Sequence, residues 1–214
     1  MTLPAPPLLL ITDRLHARGD INDVAELAFL AGCRWLSLRE KDLPPAEQSF
    51  LLRELLQRAV RHHAKVTLHG DAQLARDGGA HGVHLAAGGN LVEARDRLGT
   101  DALIGLSIHN VEEARAADAK VLDYVIAGPV FETASKPGYG PTLGPEGLAR
   151  IAQACSVPVI AIGGVSPENT VECLAAGAVG VAVMGGVMRA KDPAGAVAQL
   201  LGALGRPPLQ PRPR

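Results

Sequence analysis

At 214 residues the chain is long enough for one domain with a sizeable core and short for two. Its apolar share is 47% but its aromatic share 3%, so the core must be built from Ala, Val, Leu and Ile, as in alternating strand and helix layers. A formal net charge of -1 leaves no global field to recruit nucleic acid or an anionic membrane. Cys33, Cys155 and Cys173 lie far apart and fit neither a zinc spacing nor a paired disulfide framework. No apolar run approaches the roughly 18 residues of a membrane span. The run from Leu8 to Ile11 is too short for a signal core and has Asp13 and Arg14 behind it. These features predict a soluble, cytoplasmic protein.

Residues Thr2 to Pro7 carry three prolines and make a stiff lead-in to the first strand, Leu8 to Thr12. This strand is a continuous apolar run, as expected of one buried on both faces. A helix follows from Asn22 to Ala31, stopped by Gly32. The second strand, Trp35 to Lys41, alternates: Leu36 and Leu38 share one face, and Ser37, Arg39 and Lys41 the other. Pro44-Pro45 opens a long helix to about His63. The third strand, Val66 to Leu68, ends at His69-Gly70-Asp71 and leads to a short helix ending at Arg76. The fourth is Gly82 to Leu85, followed by Gly88-Gly89 and a helix from Leu91 to Leu98.

The fifth strand, Leu103 to Ile108, is followed by Asn110 as the N-cap of a helix from Val111 to Ala117. The sixth opens at Asp123, breaks at Gly128-Pro129 and runs into a polar loop holding Glu132, Thr133, Ser135 and Lys136. Its helix spans Pro145 to Ala154. The seventh strand, Val157 to Ile162, ends in Gly163-Gly164, and Pro167 starts a helix closed by Gly177. The eighth, Gly180 to Met184, ends in Gly185-Gly186 before a last helix from about Pro193 to Leu204. The tail, Gly205 to Arg214, holds four prolines and three arginines and is expected to be disordered.

Eight alternating units argue for a parallel sheet and a single (β/α)₈ TIM barrel over residues 1–204. A doubly wound open sheet is the alternative, but its G-x-G-x-x-G is absent after the first strand, where Thr12-Asp13-Arg14 stands. In such a barrel the active site lies at the C-terminal strand ends. Those ends gather Arg39 and Lys41, His69, Ser107 and His109, Thr133, Ser135 and Lys136, Gly163 and Gly164, and Met184 and Gly185. Glycine pairs after the seventh and eighth strands let backbone N–H groups approach an anion, or simply make tight turns. The donors Thr133, Ser135 and Lys136 beside them favour a phosphate. Arg39 and Lys41 suit a second anionic group.

Seven histidines divide by position. His16, His62 and His63 are expected to be solvated, and His81 to occupy a turn. His84 lies mid-strand off the face of Val83 and Leu85 and would line the interior, as a structural or a catalytic group. His69 and His109 follow strand ends and are the better acid/base candidates.

With these residues placed, the chain resembles the thiamine phosphate synthase/TenI family over residues 7 to 204. The resemblance rests on Arg39-Glu40-Lys41, Gly82-Val83-His84-Leu85, the run from Ile104 to His109, Asp123 to Thr133 with Lys136, Ile160 to Gly164, and Gly177-Ala178 with Gly180-Val181. For the synthase branch it implies Mg²⁺, with Arg39, Lys41, Ser107 and Lys136 near a pyrophosphate. It implies Thr133, Ser135, Gly164, Met184 and Gly185 around a thiazole phosphate.

The metal positions depart from that pattern. The Asn-Asp of synthases after strand three is His69-Gly70 here, and the Asp expected past the strand-four His is replaced by Ala86-Ala87-Gly88-Gly89. The Gln usually found two residues before the strand-two Arg is Ser37. Magnesium binding usually takes one or two carboxylates plus substrate phosphates.

The TenI branch fits Phe131-Glu132-Thr133 with Lys136 better. It implies a metal-independent thiazole tautomerase that aromatises a thiazole carboxylate phosphate by proton transfer, with no cofactor. One departure counts against it, since the His after the strand-six Gly is Pro129 here. The acid/base is then expected at His69 first, with His84, His109 and Glu132 open. The alternatives are a Mg²⁺-dependent synthase joining a pyrimidine-methyl pyrophosphate to thiazole phosphate, and a non-catalytic binder of thiamine precursors. The expected partner is a small phosphorylated thiazole, with no nucleic acid or membrane; a homo-oligomer stays open.

Overall fold

The computed structural model describes residues 2–133 and 141–205. Ser135, Lys136 and the tail from residue 206 onward lie outside them. The chain begins with β1 (Leu8–Ile11), α1 (Ile21–Leu30), β2 (Trp35–Leu38) and α2 (Pro45–Arg61). It continues through β3 (Lys65–His69), α3 (Ala72–Asp77), β4 (Gly82–Leu85) and α4 (Leu91–Leu98). Next come β5 (Leu103–Ile108), α5 (Val111–Ala116), β6 (Tyr124–Ala127) and α6 (Gly144–Ala154). The last elements are β7 (Val159–Ile162), α7 (Thr170–Ala175), β8 (Gly180–Val183), α8 (Gly185–Met188) and α9 (Pro193–Leu204).

The eight strands close a parallel barrel in sequence order, so the fold is a (β/α)₈ TIM barrel. Trp35 of β2 registers with Leu9 of β1, and β8 closes the ring by setting Ala182 beside Leu9. Strand alternation divides the core into two layers. Leu8, Leu10, Leu36, Leu38, Val83 and Leu85 face the helices. Leu9, Ile11, Trp35, Leu103, Tyr124 and Ile160 fill the barrel.

Two aromatic rings plug the interior. Trp35 meets Tyr124 edge-on at 4.6 Å between centroids and 80° between planes, a geometry worth about 0.5–1.5 kcal/mol beyond burial. The Tyr124 ring lies over the Cα of Gly105, where any Cβ would collide with it. That close approach explains the glycine in the middle of β5.

The helix starts follow their capping residues. Asp20, Asp71, Asn90, Asn110 and Asp192 each accept a backbone N–H of the first turn, satisfying donors that a helix N-terminus leaves over.

Four details differ from the sequence reading. β2 stops at Leu38, because the Arg39 N–H turns to the Thr12 hydroxyl at 2.8 Å. β7 starts at Val159 rather than Val157: Pro158 has no N–H to give the ladder, though its carbonyl accepts from Val125. α7 starts at Thr170 rather than Pro167, after a turn in which the Asn169 side chain accepts from Ser166 N–H and donates to the Gly164 carbonyl. The four-residue α8 had no signal, since its Gly-Gly-Val-Met sequence reads as a turn.

Two histidines also depart from expectation. His62 is not solvated: its side chain is 15% exposed, bonds Glu26 at 3.0 Å and packs its ring against Phe29. His81 does more than turn the chain, for its Nδ1 accepts the Val66 N–H at 3.0 Å and ties the β4 entry to β3. His16 is exposed beside Asp13, as expected.

Candidate active site

The C-terminal strand ends surround a cavity of about 490 Å³. Every described residue singled out from the sequence lines it: Arg39 and Lys41 after β2, His69 of β3, His84 of β4, Ser107 and His109 of β5 and its end. Glu132 and Thr133 come from the loop after β6, Gly163 and Gly164 from β7, and Met184 and Gly185 from β8. The expected loop donors Ser135 and Lys136 fall outside the described residues. Sequence reasoning missed Arg189, which also lines the cavity, because it follows the unforeseen α8.

Arg39 and Lys41 lie beyond β2 yet keep the inward direction of Ser37. Between them Glu40 turns away and is buried. Its carboxylate oxygens accept the Arg14 N–H at 3.1 and 3.2 Å. Burial raises the Glu40 pKa, opposed by the Thr12 and Arg14 hydrogen bonds. The middle of this motif therefore anchors the loop after β1, while the flanking cations face the cavity.

His84 is fully buried, and burial, with the Lys41 charge nearby, pushes its pKa down to about 3. It is therefore neutral at physiological pH. Its Nε2 lies 2.9 Å from the Ser107 hydroxyl. His69 tilts against the His84 ring at 4.7 Å, so β3 and β4 bring two imidazoles together at the cavity wall. His109 also lines the cavity, its Nδ1 2.7 Å from the Gly128 carbonyl. A carbonyl can only accept, so Nδ1 carries the proton and Nε2 of the neutral ring is the basic nitrogen.

The loops after β6 and β7 interlock. Val130 N–H donates to Ile162, and Phe131 N–H to Gly163. Gly163 and Gly164 both have positive φ, +97° and +62°, and a Cβ on either would strike the loop after β6. Backbone conformation and packing alone thus demand both glycines. Both residues also line the cavity.

Among the described residues the donor set does not fit a magnesium ion. At the ends of β3 and β4 the cavity is lined by His69, Ala86 and Ala87, and Glu132 is the one carboxylate among its described lining residues. Asp71 is engaged as the α3 cap, accepting the Leu74 N–H at 2.9 Å. Among the described residues no group of three His, Cys, Asp or Glu side chains could hold a metal. No helix among the described residues is long and apolar enough to cross a membrane.

A (β/α)₈ barrel whose mouth is lined by cations, imidazoles and glycines has the layout of a barrel enzyme. Residues 8–187 match the family model described as thiamine monophosphate synthase. Over 180 residues the chain is 41% identical to the thiamine biosynthesis bifunctional protein ThiM/ThiE of Symbiobacterium thermophilum, covering 84% of this chain and 38% of that longer protein. It is 40% identical over 188 residues to a putative thiamine-phosphate synthase of Geobacter sulfurreducens, covering 87% of this chain and 88% of the relative. A solved thiamine phosphate pyrophosphorylase from Pyrococcus furiosus superposes with a TM-score of 0.82 at 30% identity, over 92% of this chain and 95% of that one. The chain belongs to the thiamine monophosphate synthase family, an enzyme family of thiamine biosynthesis. The relatives' names favour the synthase alternative over the isomerase reading of the sequence.

Proposed function

We propose that this protein acts on a thiazole carboxylate phosphate and aromatises it by a metal-independent proton transfer. The observation that supports this reading is the donor set at the ends of β3 and β4. It offers imidazole where a metal-assisted reaction would need carboxylates. The isomerisation removes one proton from carbon and returns one elsewhere, so one imidazole can serve as base and then as acid.

In this reading His69, which lines the cavity, carries the proton. His84 is too weakly basic to compete and instead holds the Ser107 hydroxyl. Thr133, Gly164 and Gly185, with Ser135 and Lys136 of the same loop, take the phosphate. Arg39 and Lys41 neutralise the carboxylate. His109 and Glu132, which also line the cavity, are the alternative acid/base groups.

The second reading is the transferase, thiamine phosphate synthase. It is favoured by the names of the relatives and by the adjacent cations Arg39 and Lys41, which suit a pyrophosphate. A time course on the non-aromatic thiazole carboxylate phosphate in EDTA separates the two. Formation of aromatic product above the uncatalysed rate is expected. A flat trace, with Mg²⁺-dependent pyrophosphate release once the pyrimidine pyrophosphate is supplied, would establish the transferase instead. No turnover in either assay would leave a binder of thiamine precursors.

A further inference from the structure

The loop from β8 carries a charge that the motif reading did not use. Gly185 is buried although it lies at the mouth of the cavity, whereas Gly186 beside it is exposed. What covers Gly185 is the guanidinium of Arg189, against which any Cβ at position 185 would collide. The backbone makes this fold-back possible: α8 is one turn long, and the Arg189 N–H returns to the Gly185 carbonyl at 3.1 Å. The side chain thus lies over the first residue of its own turn and lines the cavity.

Around this half of the mouth the other described groups are uncharged donors or the carboxylate of Glu132. Thr133 comes from the loop after β6, Gly163 and Gly164 from β7, and Gly185 and Gly186 from β8. Arg39 and Lys41 enter from the loop after β2, with β1 standing between β2 and β8 in the barrel. A guanidinium offers a phosphate dianion both positive charge and two parallel donors.

We infer that Arg189 is the phosphate-selecting residue of this cavity, closing over Gly185 to pair with the phosphate that the glycine loops hold. A side chain at position 185 would displace the guanidinium from this seat. This inference rests on the proposed ligand being a phosphorylated thiazole, but not on any turnover of it.

The test is equilibrium binding by calorimetry, with hydroxyethylthiazole phosphate and its unphosphorylated alcohol as the two probes, on wild type, Arg189→Gln and Arg189→Lys. Loss of a charge-assisted pair predicts a weakening of about 10- to 100-fold for the phosphate in Arg189→Gln. The alcohol should change less than about twofold, and Arg189→Lys should restore part of the loss, since it keeps the charge and loses the fork. Gly185→Ala, which pushes the guanidinium off its seat, should weaken the phosphate and spare the alcohol in the same way. Equal weakening of both probes, or no change in either, overturns the inference. Because the readout is binding, a protein that binds with phosphate selectivity but fails the turnover assay would refute the proposed reaction and leave this assignment intact.

Discussion

His84 Nε2 and the Ser107 hydroxyl lie 2.9 Å apart at the base of the cavity, joining β4 to β5 through side chains as well as backbone. The histidine is buried and the serine lines the ligand space. A neutral ring held in this way fixes where the hydroxyl can point. It also makes the protein's stability depend on pH.

The native His84 pKa of about 3 lies below the ordinary value of 6.5. Below that ordinary value the unfolded chain takes up a proton that the native state refuses. Stability contributed by the neutral ring is therefore present above about pH 6.5 and is lost as pH falls toward the native pKa, with a slope near 1.4 kcal/mol per pH unit. The lowered pKa of His81, set by burial and Lys65, adds in the same direction. Urea denaturation at pH 7.0, 6.0 and 5.0 should show the decline, and His84→Gln should flatten it. An unchanged slope in the variant would mean that His84 takes up its proton as readily in the native state as in the unfolded chain.

Replacing His69 by alanine should lower turnover of the thiazole carboxylate phosphate by about 10²–10⁴, the usual worth of a positioned acid/base. A change within about threefold would move the role to His109, whose protonated Nδ1 leaves Nε2 as the basic nitrogen. Single-turnover rates on the two alanine variants decide between them.

Thr12 positions a cavity cation from outside the cavity. Its hydroxyl accepts the Arg39 N–H at 2.8 Å, and its own N–H reaches the Ser37 carbonyl at 3.0 Å. Thr12→Val keeps the shape and orphans the Arg39 N–H, which should cost about 1–3 kcal/mol of stability. It should also weaken binding of the carboxylated ligand more than that of its decarboxylated analogue. Thermal melts and calorimetry on the same preparation would reveal both effects; loss of stability alone would limit Thr12 to a structural role.

Gly105→Ala should destabilise the barrel by about 1–3 kcal/mol or more, because its new methyl occupies the place of the Tyr124 ring. Combined with Tyr124→Leu, the cost should be clearly less than the sum of the single costs, since the two residues share one space. Additive losses in chemical denaturation would show that the methyl is accommodated elsewhere.

Much of the architecture was legible locally. The alternation in Trp35–Leu38, the apolar runs of β1 and β8 and the cap Asn110 each follow from nearest-neighbour chemistry, and eight such units admit few topologies. The cavity residues at the strand ends were legible for the same reason: a parallel barrel brings all its C-terminal ends to one mouth.

What stayed hidden depends on residues distant in sequence sharing one volume. Nothing near Gly105 announces that Tyr124 needs its space, and nothing near His62 announces Glu26 and Phe29. The fold-back of Arg189 over Gly185 spans four residues, but its direction is set by a one-turn helix that no propensity favours. Sequence alone determined the order of strands and helices, and hence which ends meet. Only the tertiary structure decided which side chains at that mouth are buried and neutral, which are turned away as caps, and which reach the ligand space, because those depend on desolvation and packing across the closed barrel.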